Sequence, residues 1–155
     1  MRVREDNALT SNRPDLQTAI LEGGEVPLVR IDLIEGKSEE YRAQVGEIVY
    51  QTLVDVLSVP AHDRFHIITE HTKANQPFDR GYLGIHRTDE CIFFQITLNS
   101  GPSTELKQRF YRALAGRLHE ALKIRKEDVF INLVEVSKEN WSFGNGEAQY
   151  VTPSK

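Results

Sequence analysis

The stretch LVRIDLIEGKSEEYRAQVGEIVYQTLVDVLSVPAHDRFHIITE, residues Leu28–Glu70, decides the fold because the chain carries the same unit twice. The second copy is FFQITLNSGPSTELKQRFYRALAGRLHEALKIRKEDVFINLVE, residues Phe93–Glu135, about 65 residues further on and aligned without a gap. Hydrophobic, glycine, serine and acidic positions coincide, which predicts two copies of one structural unit. The coinciding pairs are Ile31 and Ile96, Leu33 and Leu98, Gly36 and Gly101, Ser38 and Ser103, Glu40 and Glu105, Leu53 and Leu118, Leu57 and Leu122, Asp63 and Asp128, Phe65 and Phe130, and Glu70 and Glu135.

The first copy predicts a strand, a helix and a second strand. Leu28–Ile34 has the composition of a short strand, and Ser38 is a suitable N-cap for the apolar residues that recur behind it at helical spacing. Pro60 is predicted to stop that helix, and Arg64–Glu70 alternates in the manner of a strand.

The second copy predicts the same order of elements. Cys91–Leu98 is a nearly continuous apolar strand, Gly101–Thr104 provides the turn and cap of the next helix, and Val129–Val136 is the fourth strand. Strands joined by a helical crossover are parallel, and the crossover is right-handed. We therefore predict an α+β fold in which two tandem βαβ repeats form a four-stranded sheet with two helices on one face. A second subunit is expected to cover the other face.

The repeats define the domain organisation that we expect. Residues 1–26 are polar and aperiodic and form an N-terminal extension, and residues 27–155 form the domain. Within it, repeats 28–70 and 93–135 are followed by a tail, 136–155, whose segment Trp141–Tyr150 is predicted to be a turn leading into a short strand.

Composition narrows the function classes. A net charge of −4 argues against nucleic acid as a partner. No apolar run is long enough to cross a membrane, and the N-terminus lacks the apolar core of a signal peptide. The single cysteine, Cys91, fits a reducing compartment and is interpreted as a buried strand residue. We expect a cytoplasmic protein.

Four segments resemble the tautomerase superfamily, in particular its malonate semialdehyde decarboxylase-like branch. They are Pro27–Gly36, Val59–Phe65, Asp128–Glu135 and, most specifically, Glu139–Gly146. The resemblance implies βαβ repeats assembled as a homotrimer, with an amino-terminal proline in each active site. It also implies a small oxo acid as the substrate.

Pro27 matches the family's proline, and its chemistry depends on a free amine. Amino termini titrate near about 7.7–8.0, and burial lowers the pKa of a cation. A free proline is therefore a suitable acid, base or nucleophile near neutral pH. In a peptide bond the nitrogen lone pair is delocalised, and none of these roles is available.

Pro27 follows Val26 in this chain, which leaves three interpretations. In the first, Pro27 simply opens a strand. In the second, the start is mis-assigned, and Val26 is an initiator that is encoded by GTG and removed to expose Pro27. In the third, residues 1–26 are a genuine extension that blocks the amine.

The resemblance also implies roles for other side chains. Asp63 matches the active-site aspartate, although Asp128 in the second copy allows a purely structural role for both. Trp141, Phe143 and Tyr150 match the aromatic wall of the family's pocket, with packing at a subunit interface as the alternative.

The carboxylate-binding arginines of the decarboxylase are missing. The aligned positions hold Gly101 and Ser103, with Pro102 between them. Arg80 and Arg87 are our first candidates for a substituted carboxylate anchor, with Arg64 and Arg109 behind them.

No histidine or cysteine pattern predicts a metal site, and no glycine-rich loop predicts a nucleotide, so we expect no cofactor. The favoured function is keto–enol tautomerisation of a small 2-oxo acid. Malonate semialdehyde decarboxylation or hydration is the second enzymatic hypothesis, and a catalytically silent trimeric scaffold is the hypothesis from another class.

Overall fold

A computed structural model of the chain describes residues 26–151, where two long helices lie against one face of a four-stranded sheet. The strands are β1 (Leu28–Ile34), β2 (Phe65–His71), β3 (Ile92–Asn99) and β4 (Val129–Val136), and the helices are α1 (Glu39–Leu57) and α2 (Thr104–Leu122). The predicted α+β fold with two βαβ repeats is confirmed.

The order of the strands in the sheet is β2-β1-β3-β4. Each repeat pairs its own two strands in parallel, whereas the two inner strands β1 and β3 are antiparallel. The first residues of β1 and β2 therefore meet the last residues of β3 and β4 at one end of the sheet.

The sequence repeat is also a repeat of local structure. Ser38 and Ser103 cap α1 and α2 in the same way, each side-chain oxygen accepting from the backbone N–H three residues later. The ion pair between Arg42 and Glu70 in the first repeat has its counterpart in the pair between Lys107 and Glu135 in the second. Both pairs tie the start of a helix to the strand that follows it.

The core lies between the helices and one face of the sheet. Alternate residues of the inner strands point into it, because side chains alternate between the two faces of a strand. The residues buried most completely include Val29, Ile31, Val49, Leu53, Phe94, Ile96, Phe110, Leu114 and Leu118. The opposite face, which we call the open face, carries the exposed side chains of Phe65, Ile67 and Phe130.

Three details differ from the sequence-based expectations. Strands β2 and β3 each begin and end one residue later than predicted, so that buried Cys91 directly precedes β3. Helix α1 ends at Leu57 through Ser58, which has the left-handed φ of 56° that commonly ends helices, rather than at Pro60. The segment after Trp141 contains turns and no strand up to residue 151, because Gly144, Asn145 and Gly146 all have positive φ.

Of the predicted extension 1–26, only Val26 lies within the described residues. Within residues 26–151, neither helix is long and apolar enough to span a membrane.

Candidate active site

Pro27 lies at the end of the sheet where β1 and β2 begin and β3 and β4 end. Its side chain is buried. The next residue, Leu28, pairs with Phe65 of β2 on one side and with Thr97 of β3 on the other. Pro27 is thus held between two strands, and the groups that surround it come from the neighbouring strand ends.

Asp63 belongs to the turn that enters β2, two residues before Phe65. Its backbone N–H donates to the Pro60 carbonyl at 3.4 Å. The turn is fastened to α1, since the backbone N–H of His62 donates to the Tyr50 hydroxyl at 2.6 Å. Two of the predicted site residues, Pro27 and Asp63, are therefore brought to the same end of the sheet.

At this end of the sheet lie the rings of Trp141, Phe143 and Tyr150, the residues of the predicted aromatic wall. The rings of Trp141 and Phe143 stack at 5.4 Å between centroids, and Tyr150 meets Phe143 edge-on at 5.1 Å. The Phe143 ring also lies 6.2 Å from the ring of Phe65, the strand partner of Leu28. The wall therefore lies beside the strand position that follows Pro27.

Gln149 holds the loop that carries the wall. Its side-chain carbonyl accepts from the Phe143 backbone N–H at 2.9 Å, and its amide donates to the Gly144 carbonyl at 2.8 Å. The glycine at position 144 allows the chain to turn there with a φ of 138°. Sequence reasoning missed Gln149, because no spacing rule marks a side chain that bonds to its own loop.

Asn99, at the last position of β3, was also missed. It is only 4% exposed, and its Oδ1 accepts from the indole Nε1–H of Trp141 at 2.8 Å. This bond joins the wall to the sheet. The position of Asn99 at the end of an apolar strand was the one available signal for such a role.

Arg64, the residue between Asp63 and Phe65, brings positive charge to this end. Its guanidinium lies 4.0 Å from the centroid of the Tyr50 ring and pairs with Glu47 at 2.6 Å. The hydrogen bond from Arg64 lowers the pKa of Glu47. Burial, reinforced by Arg64, lowers the pKa of His66 to about 4, so His66 is neutral at pH 7 and is not an acid there.

Asp128, the repeat counterpart of Asp63, has a structural role. It is fully buried, and its two carboxylate oxygens accept from the backbone N–H and the hydroxyl of Thr88, both at 2.7 Å. It thereby fixes the connection that leads into β3. Asp63 is half-buried in its own turn, so the two aspartates differ in environment although they coincide in sequence.

We expect Asp128→Ala to lower the free energy of unfolding by about 3 kcal/mol, because it removes a fully buried carboxylate and the two hydrogen bonds that this carboxylate accepts from the partly buried Thr88. Urea denaturation at one fixed protein concentration measures the loss. Asp63→Ala is the matched control and is expected to cost less, since its site is partly open to water. Equal losses from the two variants would contradict a separate structural role for Asp128.

Arg80 and Arg87 lie away from Pro27 within one subunit. Both belong to the connection between β2 and β3, which leaves the opposite end of the sheet, about 20 Å away at 3.3 Å per strand residue. Arg80 pairs with Asp89 at 2.5 Å, and Arg87 donates to the carbonyls of Tyr82 and Ile85. Their role in substrate binding stays a prediction, and it requires contact with another subunit.

Cys91 is buried directly before β3, and burial raises its pKa to about 11. It is therefore a thiol at neutral pH rather than a nucleophile. Within the part of the chain that the structure describes, no group of three or more metal-ligating side chains occurs.

Comparisons with known proteins point to one family of enzymes. Two family models, each described as "Tautomerase enzyme", match residues 63–144 and residues 27–77. The chain is 40% identical over 126 residues to the probable tautomerase YusQ of Bacillus subtilis (strain 168), which covers 81% of this chain and 99% of that protein.

Two solved structures show the same fold. The FG41 malonate semialdehyde decarboxylase inhibited by 3-bromopropiolate is 36% identical, with a TM-score of 0.74 over 80% of this chain and 94% of that one. A fused 4-OT wild-type symmetric trimer is 19% identical, with a TM-score of 0.64 over 77% and 94% of the two chains. The chain belongs to the tautomerase family.

Proposed function

We propose that the protein catalyses keto–enol tautomerisation of a small 2-oxo acid, with the amino group of Pro27 as acid and base. The observation that carries the proposal is the position of Pro27, which is buried between two strand ends at the end of the sheet that also holds the aromatic wall. A relative at 40% identity that is described as a probable tautomerase supports the reaction class.

The proposed reaction needs a chain that begins at Pro27. In ketonisation, the protonated Pro27 amine donates its proton to C3 of the enol, while the enol hydroxyl loses its proton to solvent as the C2 carbonyl forms. The free amine then takes up a proton and is ready again. With Val26 attached, the nitrogen is an amide and carries no exchangeable proton. The test is therefore a comparison of ketonisation rates for chains with and without residues 1–26.

Asp63 and the aromatic wall have supporting roles in this scheme. Asp63 positions or polarises the substrate from the turn before β2. The rings of Trp141, Phe143 and Tyr150 keep water from the amine, which lowers the pKa of an ammonium and strengthens hydrogen bonds nearby.

Decarboxylation of malonate semialdehyde is the second candidate, favoured by the 36% identity to a decarboxylase of known structure. We rank it below tautomerisation, because Gly101 and Ser103 stand at the positions where the decarboxylase has its arginines. A silent trimeric scaffold remains the alternative for a chain that keeps residues 1–26.

We further propose that the working form is a homotrimer, as in the fused 4-OT relative. The open face supports it, because Phe65, Ile67 and Phe130 are 52%, 42% and 45% exposed on a sheet that has helices on one side alone. Monomeric proteins rarely leave such a surface to water.

Light scattering at micromolar concentration is expected to give three times the chain mass. Ile67→Asp is expected to shift the population towards monomer, because it places a charge in the contact between subunits. Ala43→Asp, on the exposed side of α1, is the control and is expected to leave the trimer intact. A monomer mass for the unmodified chain would contradict the assembly.

A further inference from the structure

We propose that Asn99 is a substrate-contacting residue, whose side-chain amide donates a hydrogen bond to the oxo or enol oxygen of the substrate at Pro27. This inference rests on the proposed tautomerase function. It concerns a residue that neither the sequence repeat nor the resemblance singled out.

The first step is the orientation of the amide. The indole of Trp141 has a single polar group, an N–H that only donates, so the Asn99 atom 2.8 Å away from it must be the carbonyl oxygen Oδ1. The amide group is planar, and its Nδ2 therefore points away from the indole. The bond to Trp141 thus decides which way the two N–H donors face.

The second step is that these donors have no protein partner. Within residues 26–151, no hydrogen bond from Nδ2 of Asn99 is found, although the residue is only 4% exposed. In the same range, Gln76 Oε1 is the only fully enclosed side-chain polar atom that has no hydrogen-bond partner. Nδ2 of Asn99 also has no partner, so it is not fully enclosed and must border an opening. A nearly buried donor that faces an opening is available to a ligand oxygen.

The third step is the place of that opening. Strand β3 runs two residues beyond Thr97, the partner of Leu28, so that Asn99 lies level with Val26 when the register is continued. In a chain that begins at Pro27, the level of Val26 is the space in front of the amine. Asn99 then borders the position where the substrate must meet Pro27.

The chemistry fits a 2-oxo acid that becomes an enolate-like species. Negative charge develops on the substrate oxygen as the proton moves between carbon and the Pro27 amine. A fixed N–H donor stabilises that charge more than it stabilises the ground state, and removal of one such donor typically lowers kcat about 10²–10³-fold. Asn99 supplies such a donor. Unlike the arginines that Gly101 and Ser103 replace, it carries no positive charge.

Two variants of the chain that begins at Pro27 separate a donor from a structural anchor. Asn99→Asp keeps an oxygen for Trp141 and loses the N–H donors, whereas Asn99→Leu loses both. The chain has one tryptophan, so its fluorescence reports on Trp141 directly. We expect the emission maximum of Trp141 to stay unchanged in Asn99→Asp and to shift in Asn99→Leu.

Both variants are expected to lower kcat for enolic phenylpyruvate about 10²-fold. The new charge of Asn99→Asp also repels an anionic substrate and the charge that develops on its oxygen, so the uncharged Asn99→Leu must show a similar loss of kcat if the missing donor is the cause. Asn75→Asp, the same charge change at the opposite end of the sheet, is the control and should leave kcat and KM near those of the unmodified chain. A normal kcat for either Asn99 variant would overturn the inference.

A binding measurement separates this inference from the function on which it rests. Absence of ketonisation by the unmodified Pro27-start chain would reject the tautomerase function. Quenching of Trp141 by pyruvate would then still measure the Asn99 contact, with affinity expected to fall at least tenfold in both variants. Equal affinities, or no binding of pyruvate to the unmodified chain, would overturn the role of Asn99.

Discussion

A chain that begins at Pro27 is expected to ketonise enolic phenylpyruvate about 10²–10⁴-fold faster than the full-length chain, the usual contribution of a positioned acid or base. The reason is the state of one nitrogen, which is an amine in the first protein and an amide in the second. All four strands, both helices and the core lie within residues 27–151, so the shortened chain keeps the whole described fold. Disappearance of the enol absorbance measures the rate.

Controls for this comparison come from the same site. In the shortened chain, Pro27→Ala is expected to lose most of the gain and to keep some activity, because alanine also provides an amine but holds it less rigidly. Intact-mass analysis checks that each preparation begins at the intended residue, and circular dichroism checks that both are folded. Equal rates for the two chains would remove Pro27 from the mechanism.

The parts of the fold that depend on local sequence were predictable. The spacing of apolar residues predicted α1 and α2. The serines at 38 and 103 predicted where these helices begin, because a hydroxyl at the N-cap accepts a hydrogen bond from a backbone N–H that has no partner within the helix. The repeat strengthened each prediction, since every element had to be compatible with two different sequences. The errors of one residue at β2 and β3 are typical of strand ends, which have no capping signal.

The arrangement of the two repeats was not predictable in the same way. The antiparallel pairing of β1 with β3 is a contact between repeats, and neither repeat alone encodes its direction. That pairing places the β2–β3 connection, with Arg80 and Arg87, at the far end from Pro27. Sequence reasoning grouped those arginines with the site because it compared charge and substrate chemistry without the direction of the strands.

The polar contacts that shape the site were equally hidden. The bonds from Trp141 to Asn99 and from Phe143 to Gln149 join residues whose types are common and whose spacing follows no period. Asp63 and Asp128 show the converse, because identical residues at equivalent positions of a repeat acquire different surroundings. A sequence repeat therefore predicts backbone structure better than it predicts the role of a side chain.

Malonate semialdehyde decarboxylation by the Pro27-start chain is expected to be slower, by about 10²–10⁴-fold, than decarboxylation by an enzyme that has both arginines. Each charge-assisted contact to a carboxylate contributes roughly 1.5–3 kcal/mol, or about one to two powers of ten in rate, and two such contacts are missing. Gly101 and Ser103 have no charge to offer, and the Ser103 side chain already caps α2 by accepting from the Leu106 N–H at 3.2 Å. Tautomerisation should persist, since the mechanism that we propose for it uses the proton carried by Pro27 and no pair of arginines.

The measurement is a side-by-side assay of both reactions, with a malonate semialdehyde decarboxylase as the positive control. Efficient decarboxylation would reverse our ranking and would require another cation at the substrate carboxylate. Arg64 is the arginine next to Asp63, but its guanidinium is already engaged by Glu47 and Tyr50. Arg80 and Arg87 reach a Pro27 site only from a neighbouring subunit. A loss of that activity in Arg87→Ala, with an unchanged trimer mass and unchanged tautomerisation, would therefore assign the decarboxylation site to the boundary between two copies of the chain.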